Sequence, residues 1–98
     1  MSVSAVSRYR GGTVDAVTPL ARRMKAVLQR HGVGYRVSRF QTGPNVGEWL
    51  VVVTYADWMA YAKAQEGFAG DAEHRAVVTE ISKLVTLVSR ELVGDLEL

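Results

Sequence analysis

Two histidines, His31 and His74, are the chain's only side chains that ordinarily change charge near neutral pH. His74 closes the run Asp71-Ala72-Glu73-His74 and shares a helical phase with Val77, Val78 and Ile81. From a helix it would point toward the space between helix and sheet, where a small pKa shift suits a general base. The competing reading is a helix-start histidine bonded to backbone or water. His31 falls in the apolar arc of another helix, close to its C-terminal end, where a histidine commonly serves the helix end itself. The other chemical resource is aromatic: Tyr35, Trp49, Tyr55, Trp58 and Tyr61. Trp58 and Tyr61 lie one helical turn apart and, with Tyr35, suit a ligand pocket; large apolar faces with polar tips equally suit a subunit interface, and the sequence leaves both open.

Several chemistries are excluded by composition. Cysteine is absent, which removes disulfides, thiolate metal sites and a cysteine nucleophile. Asp71, Glu73 and His74 form the only local cluster of ligand-type residues, and an acidic cap with an acidic first turn is already explained by the helix dipole. No metal and no cofactor are expected. Gly11-Gly12 and the Gly43 to Gly47 loop lack the context of a dinucleotide or P-loop site and read as turns. No serine sits in a GxSxG setting. Twelve basic against ten acidic residues leave a net charge of +2, too little and too scattered for a nucleic-acid surface. The first residues lack a charged n-region and a long apolar h-region, and no apolar stretch approaches a membrane span, so a soluble, cytoplasmic chain without membrane contact is expected.

These residues must be positioned by a single domain, 1–98, since a chain of this length holds one core. Residues 2–10 alternate and meet Gly11-Gly12, reading as a strand. Val14, Val17, Leu20, Ala21, Met24, Val27, Leu28 and His31 then share one arc of a helical wheel opposite Arg22, Arg23, Lys25 and Gln29. Thr13 is the N-cap and Gly32 the left-handed stop, with Pro19 marking either a bend or a later start at Thr18. Val33–Thr42 and Glu48–Tyr55 flank a Gly/Pro/Asn turn and predict a β-hairpin. Asp57 caps a short helix with Trp58, Tyr61, Gln65 and Phe68 on one face; Asp71 caps another through Ser82. Leu84 to Val93 predicts a last strand, with Leu84, Thr86, Val88 and Leu92 on one side and Val85, Leu87 and Val93 on the other.

The order is βαββαβ with the second helical segment in one piece or split in two, an α+β, ferredoxin-like arrangement whose antiparallel four-stranded sheet carries helices on one face. Trp49-Leu50-Val51-Val52-Val53 is apolar on both faces, and helices can cover only one. Either Trp49, Val51, Val53 and Tyr55 or the opposite set Leu50 and Val52 therefore needs a second layer, most simply another copy of the chain.

The run from Ser38 through Gly43-Pro44-Asn45 to Trp49, followed by Tyr55-Ala56-Asp57-Trp58, resembles the dimeric α/β-barrel superfamily, in particular its NIPSNAP-like and antibiotic-biosynthesis-monooxygenase-like members. The resemblance implies a homodimer formed through the open sheet face and a small-molecule pocket between sheet and helices. It implies no single activity, because such folds serve oxygenases, isomerases and decarboxylases alike. The Asn, Trp and His set of the haem-degrading branch does not map onto Asn45, Trp58 and His74, whose spacing differs. Two functions follow as expectations: a cofactor-free monooxygenase-like or isomerase-like protein acting on a small apolar, aromatic molecule, or a non-catalytic binding or structural homodimer.

Overall fold

A computed structural model describes residues 1–98. Its elements are β1 (Val3–Arg10), α1 (Val14–Arg30), β2 (Gly34–Arg39), β3 (Trp49–Tyr55), α2 (Trp58–Ala69), α3 (Ala72–Leu84) and β4 (Thr86–Gly94). Each helix begins where a short polar side chain can satisfy its first free amides. Thr13 accepts from Ala16 N at 3.2 Å, Asp57 from Ala60 N at 2.7 Å and Asp71 from His74 N at 3.1 Å. Helix α1 runs through Pro19 from Val14, so the later start at Thr18 is not taken. It stops in a Schellman motif: Gly32 at φ +70° donates to Gln29 O, and Val33 donates to Leu28 O, with Val33 and Leu28 both buried. The second helical segment is split, because Gly70 ends α2 and Asp71 immediately starts α3.

The sheet is antiparallel in the order β2-β3-β1-β4, which places the doubly apolar β3 in its interior. No helix is long and apolar enough to cross a membrane. Registers are regular except at one β-bulge: Arg8 pairs with Ser89 but Tyr9 with Leu87, leaving Val88 as the extra residue. The simple alternation expected for the last strand is therefore corrected. Leu87, Arg90 and Leu92 all face the helices, and Leu84 belongs to α3 rather than to the strand. Strand β2 is also shorter than expected and ends at Arg39, since Phe40 and Gly47 close the following loop by backbone bonds to Glu48 and Phe40.

The loop and the sheet end are held by charge. Glu48, 8% exposed, accepts from Arg8 Nη1 at 3.1 Å and Arg10 Nη2 at 3.0 Å, while Arg8 also donates to Asn45 Oδ1 at 2.6 Å. Nearby, Trp49 donates from Nε1 to Gly11 O at 2.7 Å beneath the Arg39 guanidinium. Met24, Leu28, Val33, Tyr55, Ala64, Phe68 and Val77 form the main core, but only 14 of 98 residues are buried. So thin a core leaves much apolar surface to be covered by something else.

Close approach at one glycine tests this packing. A helix-interior alanine is ordinarily about 1 kcal/mol better than glycine. A Cβ on Gly67, however, would lie 2.7 Å from His31 Nδ1. Gly67→Ala is expected to lower stability in urea unfolding by about 1–3 kcal/mol, and adding His31→Ala should recover part of the loss from overcrowding. An unchanged midpoint in the single variant would show that the imidazole swings aside freely.

Candidate functional site

Between the sheet and the three helices lies a cavity of about 630 Å³, lined by 26 residues of which 21 are hydrophobic. It exists because the inward strand residues are unequal in size: Ala5 and Ser7 are small, while Tyr9, Tyr35, Trp49 and Tyr55 stand tall around them. Its volume is in the range of sites for small organic molecules, as is its mostly apolar wall with a few placed polar groups.

The polar groups come from opposite sides. From the sheet, Arg90 projects inward, its Nε donating to Ser7 Oγ at 3.0 Å and its Nη2 to Tyr9 Oη at 2.7 Å. No carboxylate pairs with Arg90, so the guanidinium brings an uncompensated positive charge to the cavity wall. Tyr55 Oη accepts from Gln65 Nε2 at 3.2 Å, which directs its own proton elsewhere; burial raises its pKa, partly offset by the Gln65 bond. Burial likewise pushes Tyr35 up to about 12, so both phenols stay protonated donors at neutral pH.

From the helices comes His74. Its ring stacks on Phe68 at 4.6 Å with 3° between the planes, and desolvation lowers its pKa although Asp71 pulls the other way. The imidazole is therefore neutral at neutral pH and able to accept a proton. His31 lies outside the cavity as the α1 C-cap. Its Nε2 donates to Asp71 Oδ2 at 2.7 Å, and its ring meets Phe68 edge-on at 5.1 Å. Asp71, held well below the usual carboxylate range chiefly by that His31 bond and then by the His74 amide, joins the α1 end to the α3 start. Phe68 is thus clamped between the two histidines.

The structure brings Tyr35, Tyr61, His74, Trp49, Val51, Val53 and Tyr55 together on the cavity wall and sends Leu50 and Val52 to the opposite sheet face. It does not bring Trp58 there. The indole sits half-exposed on the first turn of α2 and reaches the site only through the ring of Tyr61, at 6.0 Å between centroids. Arg90, Tyr9, Ser7 and Gln65 are additions. Arg90 was detectable as a lone cation inside an apolar strand in phase with Leu92, whereas nothing in the sequence links it to Tyr9.

No protein-family model and no curated protein sequence matches the chain. Solved structures do. SnoaB, a cofactor-independent oxygenase from Streptomyces nogalater, superposes with a TM-score of 0.72 at 16% identity, over 99% of this chain and 95% of that one. A NIPSNAP family protein from Agrobacterium tumefaciens gives a TM-score of 0.73 at 17% identity, with the same 99% and 95% coverage. A dimeric protein of unknown function and ferredoxin-like fold from Bacteroides fragilis gives 0.57 at 12% identity, covering 94% of this chain and 92% of that one. At such identities the likeness is one of fold, and the chain has a ferredoxin-like α+β fold.

The state of His74 is directly measurable. Because its folded pKa lies below the ordinary 6.5, the unfolded chain binds the proton more readily, so stability falls as pH drops from 6.5 toward the folded value and changes no further through this group below it. Loss through Asp71 comes separately, below 3.8. An NMR titration should give His74 a midpoint under 6.5, and His74→Gln should flatten the upper limb of the stability profile; a midpoint at or above 6.5 would show that desolvation does not outweigh the pull of Asp71.

Proposed function

We propose that this chain is a homodimeric protein whose cavity, in each subunit, binds a flat, largely apolar molecule bearing an acidic hydroxyl, and that it deprotonates that molecule for reaction with dioxygen. The observation that carries the reading is the unpaired Arg90 guanidinium, fixed by Ser7 and Tyr9, on the wall of an otherwise apolar cavity that also holds a neutral His74. Stacked aromatic surfaces accept a ring system, and the Arg90 cation, exposed on the edge strand β4 at the cavity wall, favours the anion over the neutral phenol. His74 takes the hydroxyl proton, and Arg90 neutralises the charge that remains.

The anion is electron-rich, which lets it reduce dioxygen without a cofactor. Its electron pair forms the new carbon–oxygen bond, oxygen takes the negative charge, and the proton held by His74 returns to give a hydroperoxide. Substrate and one O₂ thus become one product with no other reactant consumed. Withheld from oxygen, the same anion regains its proton from His74 at a carbon instead of at the hydroxyl oxygen, which is an enol-to-keto isomerisation. The fold shared with a cofactor-independent oxygenase supports the first course.

The homodimer reading rests on the thin core and on the open sheet face, where Val6, Leu50 and Val52 remain only half-covered. A dimeric neighbour of the same fold supports it.

Binding is testable in a Trp58→Phe background, where Trp49 on the cavity wall is the sole tryptophan. Hydroxyanthraquinone or polyphenol probes should quench its emission saturably, and the bound hydroxyquinone spectrum should shift toward the anion. Arg90→Met is expected to weaken binding by about tenfold to a hundredfold, the usual worth of a charge-assisted hydrogen bond. His74→Ala should retain binding and lose oxygen uptake. Absence of saturable quenching for every probe would favour a purely structural dimer, and oxygen uptake indifferent to His74→Ala would remove the base from the scheme. Sedimentation at micromolar concentration should show a dimer.

A further inference from the structure

One row of the open sheet face carries two charges that find no partner within the chain. Register places Arg36 of β2 beside Val52 of β3, Val52 beside Val6 of β1, and Val6 beside Glu91 of β4. All four side chains lie on the face away from the cavity, since their strand neighbours Tyr35, Val51, Val53, Ala5, Ser7, Arg90 and Leu92 line it. Read across the strands, the row is cation, apolar, apolar, anion. Arg36 and Glu91 are both exposed and neither has an ion-pair partner. They stand three strand spacings apart, about 14 Å, too far to meet within one chain.

We propose that Arg36 and Glu91 form reciprocal ion pairs with Glu91 and Arg36 of the partner subunit and thereby set the direction of the dimer's twofold axis. The proposal rests on the homodimer reading above. Two twisted sheets stack with their strands within about 30° of each other, about 10 Å apart. A twofold axis lying between them can run along the strands or across them. Along the strands, it reverses the row while keeping its level, so Arg36 faces Glu91 of the partner subunit and Val52 faces the partner's Val6. Across the strands, it keeps each residue of β2 over the partner's β2 and each residue of β4 over the partner's β4, so Arg36 and Glu91 never meet; with the axis at the level of this row, both ends become repulsive like-charge contacts.

The neighbouring rows agree with the first choice. Gly34, Thr54, Ser4 and Val93 form the next row, and its reversal lays Val93 of the partner subunit over the side-chain-free Gly34. On the other side Ser38, Leu50, Arg8 and Ser89 are in line. There Arg8 is already satisfied by Glu48, Asn45 and Ser89, so its charge places no demand on the partner.

Charge exchange decides the matter. Arg36→Glu and Glu91→Arg, made separately and checked by circular dichroism for an unchanged fold, should each raise the dimer dissociation constant about tenfold or more at low salt. The double variant Arg36→Glu/Glu91→Arg should return to the wild-type value. Mixed in equal amounts, the two single variants should pair with each other, since both cross-contacts are then attractive. A dimeric wild type whose single variants dissociate no more readily, or whose double variant does not recover, overturns the proposed axis while leaving the homodimer intact. A monomeric wild type overturns both.

Discussion

A β-strand presents its side chains alternately to two faces, and β3 has apolar residues on both. With β3 in the sheet's interior, its odd residues must meet one layer and its even residues another, yet the chain's three helices lie on one side. Much else in the molecule follows from this imbalance. Helices α1, α2 and α3 crowd the face of Trp49, Val51, Val53 and Tyr55, where Ala5 and Ser7 of β1 are small. The result is a space bounded by large side chains instead of a filled core.

That space unites the stability and chemistry of the fold. A domain of this size has little apolar burial to spare, and leaving a cavity costs contacts that packing would supply. The charge network of Arg8, Arg10, Asn45 and Glu48 fixes one end of the sheet without any help from the cavity. At the other end of the helical layer, Asp71 ties α1 to α3 through His31 and Arg30. The cavity wall is therefore held from its margins, and its interior residues carry less of the packing than a core ordinarily demands.

How much of this was readable from sequence differs by element. Helix α1 was legible through Thr13, the apolar arc and Gly32, each acting by a separate physical cause, while Pro19 left its start open between Val14 and Thr18. The inner position of β3 was legible from its run of apolar residues. The choice between its faces was not, since it depends on where the helices settle. The placement of His74 on the cavity wall was legible because helical phase survives in one dimension, whereas Trp58 shares a face with Tyr61 yet sits at the helix's open first turn. Arg90 was missed because its partners, Ser7 and Tyr9, lie more than eighty positions away and a register shift intervenes.

That shift at Val88 separates β4 into two segments whose phases are independent. The segment after it carries Arg90 and Leu92 inward by ordinary alternation with β1. The segment before it turns Leu87 inward as well, next to the buried Val85 that leaves α3. A bulge of this kind uncouples the two ends of the strand, so the packing of Leu87 beside Val85 does not decide on which face the Arg90 cation stands.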